Sequence, residues 1–171
     1  PVSKAIGEQL PSTLALAAAA LLVALVAGFI LGIAAALNQG SWLDSAIMSI
    51  SVSGMSIPTF WLGLLLIMLF SVRLAWFPSI SSDNSFAALV LPALTLGLPE
   101  AAVVARMVRA GMLDVLGREY VTVARAKGLQ EHKVVLDHAM RNALIPIVTF
   151  VGLQTAYLLG GSAIVETLFA R

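Results

Sequence analysis

Apolar residues run through this chain in four long blocks, 10–37, 46–72, 86–108 and 143–165, divided by two short polar breaks and one long one. Each block exceeds the roughly 20 residues that a helix needs to cross a hydrocarbon core. None alternates as a barrel strand does, so the backbone can satisfy its own hydrogen bonds in a bilayer only as helices. The pattern predicts an all-α membrane protein of about four transmembrane helices, with 1–171 as a single domain.

The blocks are not uniform. The first opens at Pro11-Ser12-Thr13, a helix start with a hydroxyl cap, and residues 1–9 read as a short interfacial stretch. Ala20, Ala24, Gly28, Gly32 and Ala36 recur every fourth residue. A face this small, with Gly28 and Gly32 in it, predicts close approach of another helix, within the chain or from a partner. The second block begins with Ser49, Ser51, Ser53 and Ser56 around Gly54, and Pro58 then predicts a kink. Ser53 and Ser56 are candidates for lining an aqueous path. The alternative is that such hydroxyls bond back to carbonyls one turn earlier and patch the bend. Arg73, Trp76, Phe77 and Pro78 mark an interface at its end.

The third block carries Pro92, Gly97 and Pro99, which predict a bent or locally unwound helix, and then Glu100. An ionisable side chain inside a span is costly and by default a functional candidate. The competing reading pairs Glu100 with Arg106 or Arg109. The fourth block is expected to end near Gly160-Gly161, leaving the chain free to bend before Glu166.

Charge changes the picture through its placement. Seven of the ten Lys/Arg, four of the nine Asp/Glu and both histidines lie in 106–141. That basic excess predicts the cytoplasmic side. Counting crossings then puts the 109–141 and 38–45 loops inside, and the 73–85 loop and Pro1 outside. Within the island, Val115, Leu116, Val121 and Val123 are interspersed with charges, Gly128 breaks the run, and helical spacing resumes over 129–140. Two or three short helices are expected there. They would form a cytoplasmic handle whose apolar anchors and charges fit a groove on a partner. Arg125 and Lys127 are also readable as plain determinants of topology.

Composition mostly excludes. With 60% hydrophobic and 11% charged residues and a mean hydropathy of +0.98, no soluble domain is expected. No cysteine is present, so disulfides and thiolate metal sites are out. The net charge of +1 argues nothing about nucleic acid, but there is no extended basic stripe and none is expected as a partner. There is no glycine-rich phosphate loop, so no ATPase activity of the chain's own is expected. His132 and His138 lie outside the spans, which disfavours a Ser–His pair at membrane depth. Six residues apart, they make no ready metal pair. A gradient-driven carrier fits the broken helices, but the scarcity of intramembrane carboxylates counts against it. Starting at Pro1 and stopping just past a span, the chain reads as a piece of a longer protein.

One stretch is more specific. Glu119-Tyr120-Val121-Thr122-Val123-Ala124-Arg125-Ala126-Lys127-Gly128-Leu129, followed by His138-Ala139-Met140-Arg141-Asn142-Ala143-Leu144-Ile145-Pro146, resembles the EAA loop of bacterial ABC importer permeases. The resemblance is narrower to the dipeptide/oligopeptide/nickel permease group. Ile57-Pro58-Thr59-Phe60-Trp61-Leu62-Gly63, Leu91-Pro92-Ala93-Leu94-Thr95-Leu96-Gly97 and the run from Gly160-Gly161 to Ala170 agree with it. Together they look like the first of two paralogous permeases. The general pattern has an acidic residue before two alanines, where this chain has Thr122, Val123 and Ala124.

The resemblance implies part of a six-span type I ABC importer permease fold in a bacterial inner membrane, with one span before and one after this chain. It implies a pore subunit rather than an enzyme, forming half of a path for di- or oligopeptides. Nickel chelates and glutathione-like solutes are the alternatives. The implied partners are a second permease, two cytoplasmic ATPase subunits, an external solute-binding protein and lipid. ATP and magnesium would sit on the ATPases, with no cofactor held by this chain. The ATPase contact would fall on Tyr120, Thr122, Ala124, Arg125, Ala126, Lys127, Gly128, Leu129 and Glu131.

Overall fold

The computed structural model describes residues 2–78 and 85–169, apart from the side chains of 2–6, 8 and 138. Every regular element among the described residues is helical. α1 (Val2–Leu37) is followed by α2 (Trp42–Met55) and α3 (Thr59–Leu66), which continues into a π-helical stretch, Ile67–Arg73. α4 (Phe86–Leu116) leads to the short α5 (Glu119–Ala126) and α6 (Glu131–Lys133). A second π-helical stretch, Val134–Met140, then enters α7 (Arg141–Leu168).

The small face of α1 is buried against α4. A Cβ built on Gly28 would lie 2.6 Å from Val104 Cβ, and one on Gly32 would lie 2.6 Å from the Ala105 carbonyl oxygen. From the other side, a Cβ on Gly97 would lie 2.7 Å from the Ala20 carbonyl oxygen. Ala20, Ala24 and Ala36 are buried along the same stripe. The expected close approach is therefore made within the chain. Lipid offers no hydrophobic drive between helices, and bringing backbones together is how packing is gained there.

These contacts also fix direction. Residue numbers climb together, with 20 beside 97, 28 beside 104 and 32 beside 108, so α1 and α4 run parallel. Two parallel spans must be joined by a chain that crosses back. The α2–α3 unit does so, although its halves are bent by 105°. Asp44 at its start pairs with Arg109, Gly63 lies against Thr95, and Phe70 packs against the apolar cluster that includes Leu91 and Leu16. The unit thus descends the length of α4. α7 is antiparallel to α4, with Ala143 beside Gly111 and Gln154 bonded to Glu100. Counted as one span, the bent α2–α3 unit brings the membrane-capable helices to four, and the 38–41 turn shares an end with α5, as the charge count predicts.

Four expectations are corrected. α1 does not start at a Ser12/Thr13 cap but runs through Pro11 from Val2, and the Thr13 hydroxyl donates to the Gln9 carbonyl one turn back. The second block is two helices with a sharp corner at Ser56–Pro58, far more than a kink. Of the bent or locally unwound helix expected at Pro92 and Pro99, the unwinding is absent, and α4 runs on to Leu116, so Arg106 and Arg109 belong to the helix. Between those prolines the Thr95 hydroxyl donates to the Leu91 carbonyl at 2.8 Å, and helices on both sides hold the strand of turns together. α7 passes straight through Gly160-Gly161, which face open space and keep ordinary helical φ.

Two apolar clusters form the core. One gathers Val104, Val108, Met112, Val121 and Val134 at the α5 end, and the other gathers Leu16, Leu91, Leu96 and Leu158 at the opposite end. Glu100 lies between them, the fifteenth of the 31 residues of α4.

Candidate functional site

The coupling-type segment is a two-faced handle. α4 stops at Gly117, Arg118 is extended (φ −77°, ψ 148°), and α5 begins at Glu119. Val121 is fully buried and Ala124 nearly so, in one cluster with Met112 and Val115 of α4 and with Val134, Val135 and Ala139. A spacing of three puts both on one face. The opposite side carries Tyr120, Thr122, Val123, Arg125, Ala126 and Lys127, all exposed. Gly128, at φ +78°, ends the helix in a conformation that an L side chain disfavours. Its amide donates to the Arg125 carbonyl at 2.9 Å.

Two side-chain links fasten the handle. Arg125 grips Glu131 with both arms, Nη2 to Oε1 at 2.6 Å and Nε to Oε2 at 3.1 Å, and so straps the turn at Gly128. The guanidinium holds the Glu131 carboxyl below the usual carboxylate range. Asn142 Nδ2 donates to the Tyr120 hydroxyl at 3.0 Å, which ties α5 to the first turn of α7.

Of the residues expected to contact an ATPase, Tyr120, Thr122, Arg125, Ala126, Lys127, Gly128, Leu129 and Glu131 are exposed. Ala124 faces inward and holds the helix down. Val123, counted among the apolar residues of the handle but not among the named ATPase contacts, is 51% exposed at the centre of the open face. Its helical phase against Val121 and Ala124 was the available signal.

The second candidate lies at mid-span. Glu100 is 8% exposed and accepts a hydrogen bond from Gln154 Nε2 across the α4–α7 contact. Both line a cavity of about 350 Å³ together with Thr59, Leu96, Tyr157 and Leu158. Neither arginine considered as a partner reaches Glu100. Arg109 forms a fork with Asp44, at 2.6 and 2.7 Å, and Arg106 donates to the Met55 sulfur at 3.4 Å. Gln154 was missed, although it is an amide in the middle of an apolar block.

Ser53 and Ser56 are exposed on α2 and do not line this cavity. Ser56 donates to the Val52 carbonyl and Ser51 to the Ile47 carbonyl, at 3.3 and 2.8 Å, so the back-bonding alternative describes Ser51 and Ser56.

Asp44 was also missed. It accepts both Arg109 bonds and one from the Gly40 amide at 3.0 Å, fixing the 38–41 turn to α4.

Residues 28–171 match the family described as "Binding-protein-dependent transport system inner membrane component". The chain is 47% identical over 169 residues to the glutathione transport system permease protein GsiC of Escherichia coli (strain K12), covering 99% of this chain and 55% of that protein. The GsiC protein of Shigella dysenteriae serotype 1 (strain Sd197) matches with the same figures, 47%, 169 residues, 99% and 55%. A Brucella abortus (strain 2308) protein named "Putative peptide transport system permease protein BAB2_1050" is 42% identical over 177 residues, covering 99% of this chain and 56% of that protein. The chain spans about half the length of the curated relatives it matches.

Proposed function

The chain belongs to the family of binding-protein-dependent transport system inner membrane components, and on that premise we propose that it is part of a permease subunit of an ATP-driven importer. It would contribute half of a solute path, with a second permease supplying the other half and a binding protein delivering the solute from outside. Relatives named for glutathione and for peptide transport support small peptides as the solute class. The chain itself would catalyse nothing. ATP and magnesium would be held by separate cytoplasmic subunits.

The observation that carries this reading is the two-faced α5. Val121 and Ala124 seat it on α4 and on the π-helical entry to α7, while an exposed apolar and basic face is left for a partner. A partner that binds this face more tightly in one nucleotide state than in the other shifts the membrane helices by the difference in affinity. Two routes pass that shift inward, the Val121/Ala124 cluster and the Tyr120–Asn142 bond. Asn142 and Gln154 share α7, so movement of its first turn bears on the Glu100 contact.

Single cysteines placed at 119–127 of the full-length permease, in the assembled importer, test the reading by crosslinking to the ATPase. We expect crosslinks at 120, 123, 126 and 127 that change with ATP, and none at 121 or 124. An importer that still transports while no position reaches an ATPase would overturn the coupling role and favour a gradient-driven carrier.

A further inference from the structure

Among the described residues no cationic side chain lines the cavity of Glu100. Glu100 is the only ionisable carboxylate or basic group among the lining residues, and its described hydrogen bond comes from a neutral amide. Of the arginines nearest in sequence, Arg109 is paired with Asp44, and Arg106 is exposed and donates to the sulfur of Met55 on the cavity wall without bonding Glu100. An amide can satisfy one carboxylate oxygen but cannot neutralise the group, so at this depth the carboxyl either takes up a proton or is matched by a cation that enters the cavity. The wall around it has the make-up of a small-molecule site, with the Thr59 and Tyr157 hydroxyls set beside Leu96 and Leu158.

We propose that this cavity binds a cationic, ammonium-type group of the solute in transit, with Glu100 as counter-charge and Gln154 holding the carboxylate in position. The proposal rests on the permease reading and names a feature of the solute that reading leaves open. The free amino terminus of a small peptide is such a group. A cavity of about 350 Å³ suits one ammonium with a short neighbouring side chain rather than a whole oligopeptide.

Gly161 lines the same cavity, and a Cβ there would meet nothing within 4 Å, so Gly161→Cys introduces a thiol without a clash. The probes are trimethylammonium-ethyl and sulfonatoethyl methanethiosulfonate. They are applied to the assembled full-length importer cleared of other reactive cysteines, with rates normalised to a free thiol. The cationic reagent is expected to react about tenfold faster than the anionic one. Glu100→Gln should abolish that preference and Glu100→Asp should keep it. Equal rates with Glu100 in place would overturn the cation site, and this comparison needs no change at Glu100. A preference that survives Glu100→Gln would overturn the role of that carboxylate. Labelling by neither reagent while transport persists would overturn the cavity as part of an open path. The permease reading would still stand or fall on the α5 crosslinks.

Discussion

Gly32 has no room for a side chain, because the Ala105 carbonyl oxygen occupies the place that its Cβ would take. Backbone cannot rotate out of the way, so Gly32→Val should force α1 and α4 apart at a cost of about 1–3 kcal/mol. Gly160→Ala, on the open side of α7, serves as the control and should leave thermal stability in detergent unchanged. The Asp44–Arg109 fork makes a second prediction at this scale. Arg109→Lys keeps the charge and loses the two-armed geometry, so it should loosen the 38–41 turn. Limited proteolysis near Asn38 would then rise, and it should rise further for Arg109→Ala. The glycine stripe was legible because spacing alone reports a helix face. Asp44 with Arg109, and Glu100 with Gln154, were not legible, since partners 65 and 54 residues apart meet only once helix order and facing are known.

Elements were readable in number and place but less so in their limits. Pro58 announces a break in the second block, yet proline says where a helix is interrupted and not how far the chain turns. The 105° corner depends on what α2 and α3 each pack against on α4. Pro92 and Pro99 mislead in the opposite direction, because flanking helices hold α4 continuous through them. In α5 the decisive residue is the one after it. Gly128→Ala would place a Cβ at φ +78° and cost about 1–2 kcal/mol of local order. Faster amide exchange over 119–126 would report it. Gly117→Ala, at φ −81°, should change little by the same measurement.

At the scale of the whole molecule the parallel pairing of α1 with α4 decides the topology. Cysteines introduced at Asn38 and Trp76 should be labelled from opposite faces of the membrane, Asn38 from the face that labels position 127. Labelling of both from one face would make the α2–α3 unit a re-entrant loop. The same pairing has a consequence for biogenesis. The glycine face of α1 fits a helix that is made only after the α2–α3 unit has been threaded back through the bilayer. Translation at about 5–20 residues per second puts the end of α4 roughly 4–16 s behind the end of α1. Throughout that interval the helix that α1 fits most closely has not been completed. A nascent chain arrested before α4 would present that glycine face to any other helix in the membrane, which makes this interval the step at which misassembly, or capture by an insertion factor, would begin.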